Sequence, residues 1–436
     1  MRSTRIVLGL GLVLALAVGG IWLDRTSGAG APEKSPAPAA VIDASKYPDL
    51  QAAFDALPEA GGLVRLPPGE FRLSKPLVLT RSDTRVLGSG AATRLINCNQ
   101  QGQPALIIRP ADPKDKKASL WRVQLADFRI CGDPAAIDAK STKPKSGDGI
   151  LAQSVNELYI HGMSIDHNGG HGINLLHCYE DPRIADSIIT YNAQAGLNIV
   201  AGHDIVVSAN HFEENQDAVR CVDSFNLCMN GNNLDDHLRD GVVIENTYGS
   251  VLSGNMIEEC NGTAIILDRD CYGITLSANV IADNFGGGID LRDAWGCTVS
   301  ANTFTITAIH ALRVGPASGR ITITGNNFSD SFIGGTTRRI GKPNAATGIV
   351  LEGTTDIVVS GNIFSGLAGP AVQADQRCRR IALVGNVMTE LSRAAPEKRP
   401  GFDMRGAADV LSEHNIAEDS PAACDQPTPK PAGQAK

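Results

Sequence analysis

Carboxylates and guanidiniums crowd one stretch of this 436-residue chain. Asp217, Asp240, Asp268 and Asp290 alternate there with Arg220 and Arg292, and His171 stands upstream in Gly170-His171-Gly172. Two carboxylates at a fixed separation suit glycosidic-bond chemistry, one as acid and the other as base or nucleophile. A histidine is a further acid or base, and an arginine can neutralise a uronate carboxylate by paired hydrogen bonds. Asp240, Glu245 and Asp268 would also make a hard oxygen set for calcium. Phe225, Tyr248, Tyr272 and Trp295 recur at steps of 23 or 24 residues just after the acidic positions. Facing outward, Tyr248, Tyr272 and Trp295 would give sugar rings a platform. Facing inward or stacked edge to edge, they would be an aromatic ladder. The bland alternative for the carboxylates is a solvated, salt-bridged face.

Such residues act together only if something stacks them, and the chain carries a repeat that does. The motif V-x-S-[AG]-N-x-[FIL] places asparagines at 210, 255, 279 and 302, with looser copies at 232, 326, 362 and 386. The steps are 22 to 24 residues, with one of 36. The phase continues backward to Ser187, Met163 and Asp127. Two residues after each Asn stands a large apolar residue, from Phe212 to Met388, which marks an inward row. A second signature, as in Gly241-Val242-Val243-Ile244 and Gly288-Ile289-Asp290-Leu291, alternates like a strand with one buried face. A period near 23 built from short strands is a solenoid. The expected fold is all-β, a parallel β-helix of about 11–13 coils over residues 41–416, with equivalent residues stacked roughly 4.8 Å apart. The Asn row reads as a buried ladder that satisfies turn backbone.

The register puts Asp148, His171, Ala195, Asp217, Asp240, Thr263 and Gly287 in one column before the first strand of each coil. Outward positions on that strand read Asn174, Asn198, Arg220, Val243, Ile266, Asp290 and Arg313. Glu245, Asp268 and Arg292 follow two residues on, with Asp223, Arg269, Asp270 and Asp293 beside them. Stacked carboxylates repel unless guanidiniums or a cation intervene. Two insertions, at about 133–147 and 331–346, carry Lys143, Arg338 and Arg339 and would wall this face.

Open solenoid ends must be covered. Pro48 to Leu57 reads as an amphipathic capping helix with Leu50, Phe54 and Leu57 on one face. Upstream, Arg2 and Arg5 precede an uncharged apolar stretch from Ile6 to Leu23. Residues 1–31 therefore read as a signal peptide or a membrane anchor, with export in either case. Residues 32–40 read as a Pro/Ala linker, and residues 417–436 as a disordered tail. A net charge of −8 argues against nucleic acid as a partner. The ten cysteines contain no C-x-x-C pair; they could form disulfides or act as small fillers at turns, as at Cys178, Cys271 and Cys378.

The capping helix, the run Gly61-Gly62-Leu63-Val64-Arg65-Leu66-Pro67-Pro68-Gly69-Glu70-Phe71 and the Asn-turn coils together resemble the pectate-lyase-like superfamily. That resemblance covers about residues 41–416 and implies a right-handed β-helix. It leaves activity open, because the superfamily includes lyases, hydrolases, epimerases, tailspikes and non-enzymes. Polygalacturonases carry Asn-Thr-Asp, Asp-Asp, Gly-His-Gly and Arg-Ile-Lys in order. Here Gly170-His171-Gly172 is present, Asp235-Asp236 comes after it, and Arg-Ile-Lys is absent. Mannuronan epimerases carry Asp-Pro-His-Asp, where this chain has only Asp181-Pro182-Arg183. The expectation is an exported monomer acting on an acidic polysaccharide, as a lyase or hydrolase. Its site would be Asp240, Asp268, Asp290, Arg292, Arg220, His171 and Asp217. The alternative is a non-catalytic, glycan-binding or structural envelope β-helix.

Overall fold

The computed structural model describes residues 40–133, 146–329, 347–393 and 401–418. The apolar N-terminal stretch, Lys143, Arg338, Arg339 and most of both insertions lie outside these residues. So does the expected C-terminal tail beyond Glu418, while Ala417 and Glu418 belong to the last strand, Ile416–Glu418. Among the described residues no helix is long and apolar enough to cross a membrane.

The described chain coils through three parallel sheets. The first holds 13 strands, the second 17 and the third 14. One coil runs from Ile173–Leu176 in the first sheet to Arg183–Ala185 in the second and Ile188–Thr190 in the third. It then returns to Leu197–Val200, which pairs in parallel with Ile173–Leu176. The spacing is visible in the core, where Phe304, Phe328 and Phe364 stack with ring centroids 4.7 and 4.8 Å apart. Alternation along each strand sends one face into this core, with Ile173, Leu175, Leu197 and Ile199 fully buried.

The asparagine ladder joins the second and third sheets. The Asn279 side-chain amide donates to Leu252 O at 3.1 Å and to Asn302 Oδ1 at 3.0 Å. Its own Oδ1 accepts from the Asn255 backbone and side chain, each at 3.0 Å. The row runs back through Ser187, which accepts from the Met163 N–H, and forward past Asn386 to Asn415. A second buried column lies at the turn into the first sheet: Asn168, Asn192 and Asn215 link by the same bonds. His237 and Cys260 interrupt it before Asn284.

The expected cap is a helix at Leu50–Asp55, shorter than the pattern suggested. Asp49 caps it by accepting from the Ala52 N–H at 2.8 Å. Leu50, Ala53 and Phe54 are buried against the first coil. Gln51 acts as a one-residue strand, donating to Val78 O at 3.0 Å and accepting from Val78 N–H at 2.8 Å. That blocks the open edge of the first sheet. The nine described cysteines are free, seven of them buried, so at those positions the filler role holds and the disulfide option does not.

Candidate functional site

The strand pairing stacks Asn174, Asn198, Arg220, Val243, Ile266, Asp290 and Arg313 in one outward column of the first sheet. Beside it Val222, Glu245 and Asp268 form the next. The face is sunk rather than open. Val243 and Ile266 are buried although they point away from the core, and Asp290 and Asp217 are buried with them.

The acidic residues are neutralised by arginines shared between coils. Asp217, wholly inaccessible, accepts from Arg239 Nε at 2.7 Å and from its Nη2. Arg220 lies 3.5 Å from Asp217 and donates to Glu245 at 2.7 Å. Arg269 spans Glu245 and Asp223. Arg292 donates to Asp290 at 2.8 Å and lies 3.5 Å from Asp268. Arg313 sits 3.4 Å from Asp290 and donates to Glu352 at 2.6 Å. The structure therefore brings Asp268, Asp290 and Arg292 together directly. Asp240 joins them through charge: its carboxyl feels both Arg292 and Asp217. Burial and Asp217 hold that carboxyl above its ordinary range, against the Thr263 N–H, Arg239 and Arg292. The Thr263 N–H donates to Asp240 Oδ1 at 2.9 Å.

His171 lies at the far end of the column and feels Asp217 and Arg220 only through charge. Its backbone N–H donates to Asp148 at 2.7 Å, and Asp148 also accepts from Asn174. Its Nδ1 is buried without a hydrogen-bond partner among the described residues. Burial lowers the pKa of the ring, which favours the neutral imidazole. Asp240, Glu245 and Asp268 do not converge as a calcium set. Among the described residues, donor atoms close within 4.8 Å only in Glu180–His203–Asp204 and Asp235–Asp236–Glu259. The reason is that Arg239, Arg220 with Arg269, and Arg292 already occupy the space between the three carboxylates.

The aromatic column faces out and is longer than expected. Tyr179 stacks on His203 at 5.0 Å, His203 meets Phe225 edge-on at 6.0 Å, and Phe225 stacks on Tyr248 at 5.6 Å. Tyr272, 52% exposed, continues the column and leans over Gly296. Trp295 packs over Gly319 and donates its indole N–H to Ala317 O at 2.6 Å. The ladder and the exposed platform are thus both present, on different coils.

Sequence reading missed Arg239, Glu352 and His310. His310 extends the column of Asp240, Thr263 and Gly287 by one coil; the Gly287–His310 step of 23 residues was the available signal. Its Nε2 is buried over Gly287 without a partner among the described residues. Arg239 precedes the Asp217–Asp240 column and Glu352 continues the Glu245–Asp268–Arg292 column, so both positions repeat; which carboxylate or arginine each pairs with only the coordinates reveal.

Residues 184–342 match a family model described as periplasmic copper-binding protein (NosD). No curated protein matches the chain in sequence. Among solved structures, the fold is similar to DFA-IIIase from Arthrobacter chlorophenolicus A6 without its lid in complex with GF2. That match has a TM-score of 0.55 and 14% identity, covering 88% of this chain and 99% of that one. It is also similar to the catalytic unit of the thermostable GH87 α-1,3-glucanase from Streptomyces thermodiastaticus strain HF3-3. There the TM-score is 0.52 and the identity 16%, covering 88% of this chain and 70% of that one. The chain is a right-handed parallel β-helix, the fold of the superfamily its capping helix and Asn-turn coils resemble.

Proposed function

We propose that this protein is an exported β-helix that cleaves a polysaccharide at the sunken groove of the first sheet, as a lyase or glycoside hydrolase. The observation that carries the reading is Asp240: a half-buried carboxyl held toward its acid form beside the Asp268–Arg292–Asp290 cluster. A raised carboxyl is a general acid for a leaving glycosidic oxygen. Asp290 lies two coils away and three residues along the strand from the Asp240 position, a backbone offset of about 14 Å, and Arg292 is the group that both carboxylates feel. The exposed Tyr272 supplies a ring surface beside the cluster. An acidic chain fits Arg292, whose side chain is 43% exposed and would meet a uronate carboxylate. The basic residues Lys143, Arg338 and Arg339 of the two insertions favour the same class. The periplasmic description of the matched family agrees with the apolar leader in supporting export.

The copper in that description does not fit these residues. Copper sites draw on thiolate, thioether and imidazole donors. Here burial pushes the Cys178 thiol up to about 12 and that of Cys221 to about 11. Among the described residues, the one close donor group that includes an imidazole is Glu180–His203–Asp204, a single imidazole beside two hard carboxylates.

Purified protein should be incubated with pectate, alginate, glycosaminoglycans and neutral glucans and fructans, with and without calcium. Release of shortened or unsaturated chains by the wild type, lost in Asp240→Asn, is the expected result. No product from any substrate would overturn the enzymatic reading. One observation favours a second reading, glycan binding without turnover: every carboxylate of the Asp217–Asp290 cluster is already paired with an arginine. Retained binding without product would establish it.

A further inference from the structure

Three coils beyond Asp268, the same face opens into a cleft of about 610 Å³, inside the roughly 300–1,000 Å³ range of small-ligand sites. Glu352, Gln373, Asp375, Gln376, Arg377 and Arg405 supply its polar lining, and Val350 and Ala374 part of the apolar one. Val350 and Gln373 continue the outward column of Asp290 and Arg313. Glu352 belongs to both places, because it lines the cleft and accepts from Arg313, which also contacts Asp290. The cleft is therefore the groove continued toward the C-terminal end.

Its charges cancel in pairs. Arg377 Nε and Nη2 donate to Asp375 Oδ2 at 3.1 and 2.6 Å. Arg405 Nε donates to Asp403 at 2.9 Å, with Nη2 at 2.9 Å from the other oxygen. Arg313 is paired with Glu352. Asp375 is held further by the backbone N–H groups of Gly353 and Arg377. These bonds use only part of each five-donor guanidinium, and the Arg377 and Arg405 side chains are 65% and 68% exposed. Arg377 lies across Gly353, where a Cβ would stand 3.5 Å from the guanidinium carbon, and that glycine has φ +59°. The arginine is thus propped over the cleft rather than folded into it.

A neutral set of fixed donors and acceptors suits neutral partners. A vicinal diol donates one hydroxyl hydrogen to a carboxylate and accepts from the adjoining guanidinium without breaking the pair. A carboxylated or sulfated sugar would instead add a charge beside Asp375 and Glu352, whose arginines already balance them. We propose that the cleft is a subsite for a neutral sugar unit, recognised through vicinal hydroxyls by the Asp375–Arg377 pair, the Arg405 guanidinium and the Gln373 and Gln376 amides. The inference rests on the glycan reading of the adjoining groove and adds the sugar class at one end of the bound chain.

Calorimetric titration of the full chain with neutral gluco-, galacto- and fructo-oligosaccharides, and with oligogalacturonate and oligoalginate, tests it. A neutral oligosaccharide is expected to bind, with affinity unchanged between low and high salt, because no net charge is neutralised. Arg377→Ala and Gln373→Ala, both substitutions of residues at the cleft surface, should each weaken that binding tenfold or more while leaving the melting temperature unchanged. The inference is overturned by binding confined to acidic oligomers with salt-dependent affinity, by neutral binding that both variants retain, or by no binding to any oligosaccharide. Binding at the cleft without cleavage by the wild type would sink the enzymatic reading instead and leave the subsite standing.

Discussion

At Asp240 the acid form is favoured by burial and by the Asp217 carboxylate, and opposed by the Thr263 N–H and two arginines. A general acid must hold its proton, so the rate should fall as pH rises through the raised Asp240 pKa. Asp240→Asn should lower kcat by about 10²–10⁴-fold and remove that limb of the pH profile; kcat measured across pH in both proteins decides it. Asp217 is a different kind of residue. It is fully enclosed and holds Arg239, Arg220 and the Asp240 N–H, so it positions Asp240 rather than meeting a substrate. Residue types and spacing were enough to nominate both. Their difference in burial and pairing was not legible, because it depends on which carboxylate the long Arg239 side chain reaches, and its repeat position does not say.

Between elements, the buried columns carry the stability of the turns. In Asn279→Ala the Asn255 N–H loses its acceptor and the Leu252 carbonyl loses one donor inside the protein. Each buried group left unsatisfied costs roughly 1–3 kcal/mol, so the denaturation midpoint should fall markedly. The second column makes a pH prediction. His237 is enclosed, and burial pulls its pKa down to about 4. Below its ordinary value of about 6.5 the unfolded chain takes up a proton that the folded chain refuses until about pH 4. Stability should therefore drop as pH falls across that window, by up to about 3 kcal/mol. His237→Asn, restoring the residue type of Asn215 and Asn284, should flatten this acid dependence, as read from denaturation midpoints between pH 7 and pH 4. The first ladder was plain in the sequence because its Asn sits within a fixed apolar frame. The second was not, because His237 and Cys260 break its identity while keeping its phase.

For the whole molecule the exposed end is the weak point, since each coil is buried only by its neighbours. Phe54→Glu would place a charge where the capping helix meets the first coil. Multimers or aggregates by light-scattering chromatography are expected, with far-ultraviolet strand signal retained. The sequence by itself determined the parallel coil, its register, the cap and the face that carries the acidic column. Each of these follows from a period: a row of residues that repeats every 23 positions must stack, and its apolar members must face inward. Only the tertiary structure decided which stacked charges pair, that Val243 and Ile266 sink the groove, and that Glu352 joins the groove to the cleft beyond it. Those outcomes depend on side-chain reach between coils, and a one-dimensional repeat specifies neighbours without specifying which way a long arginine will lean.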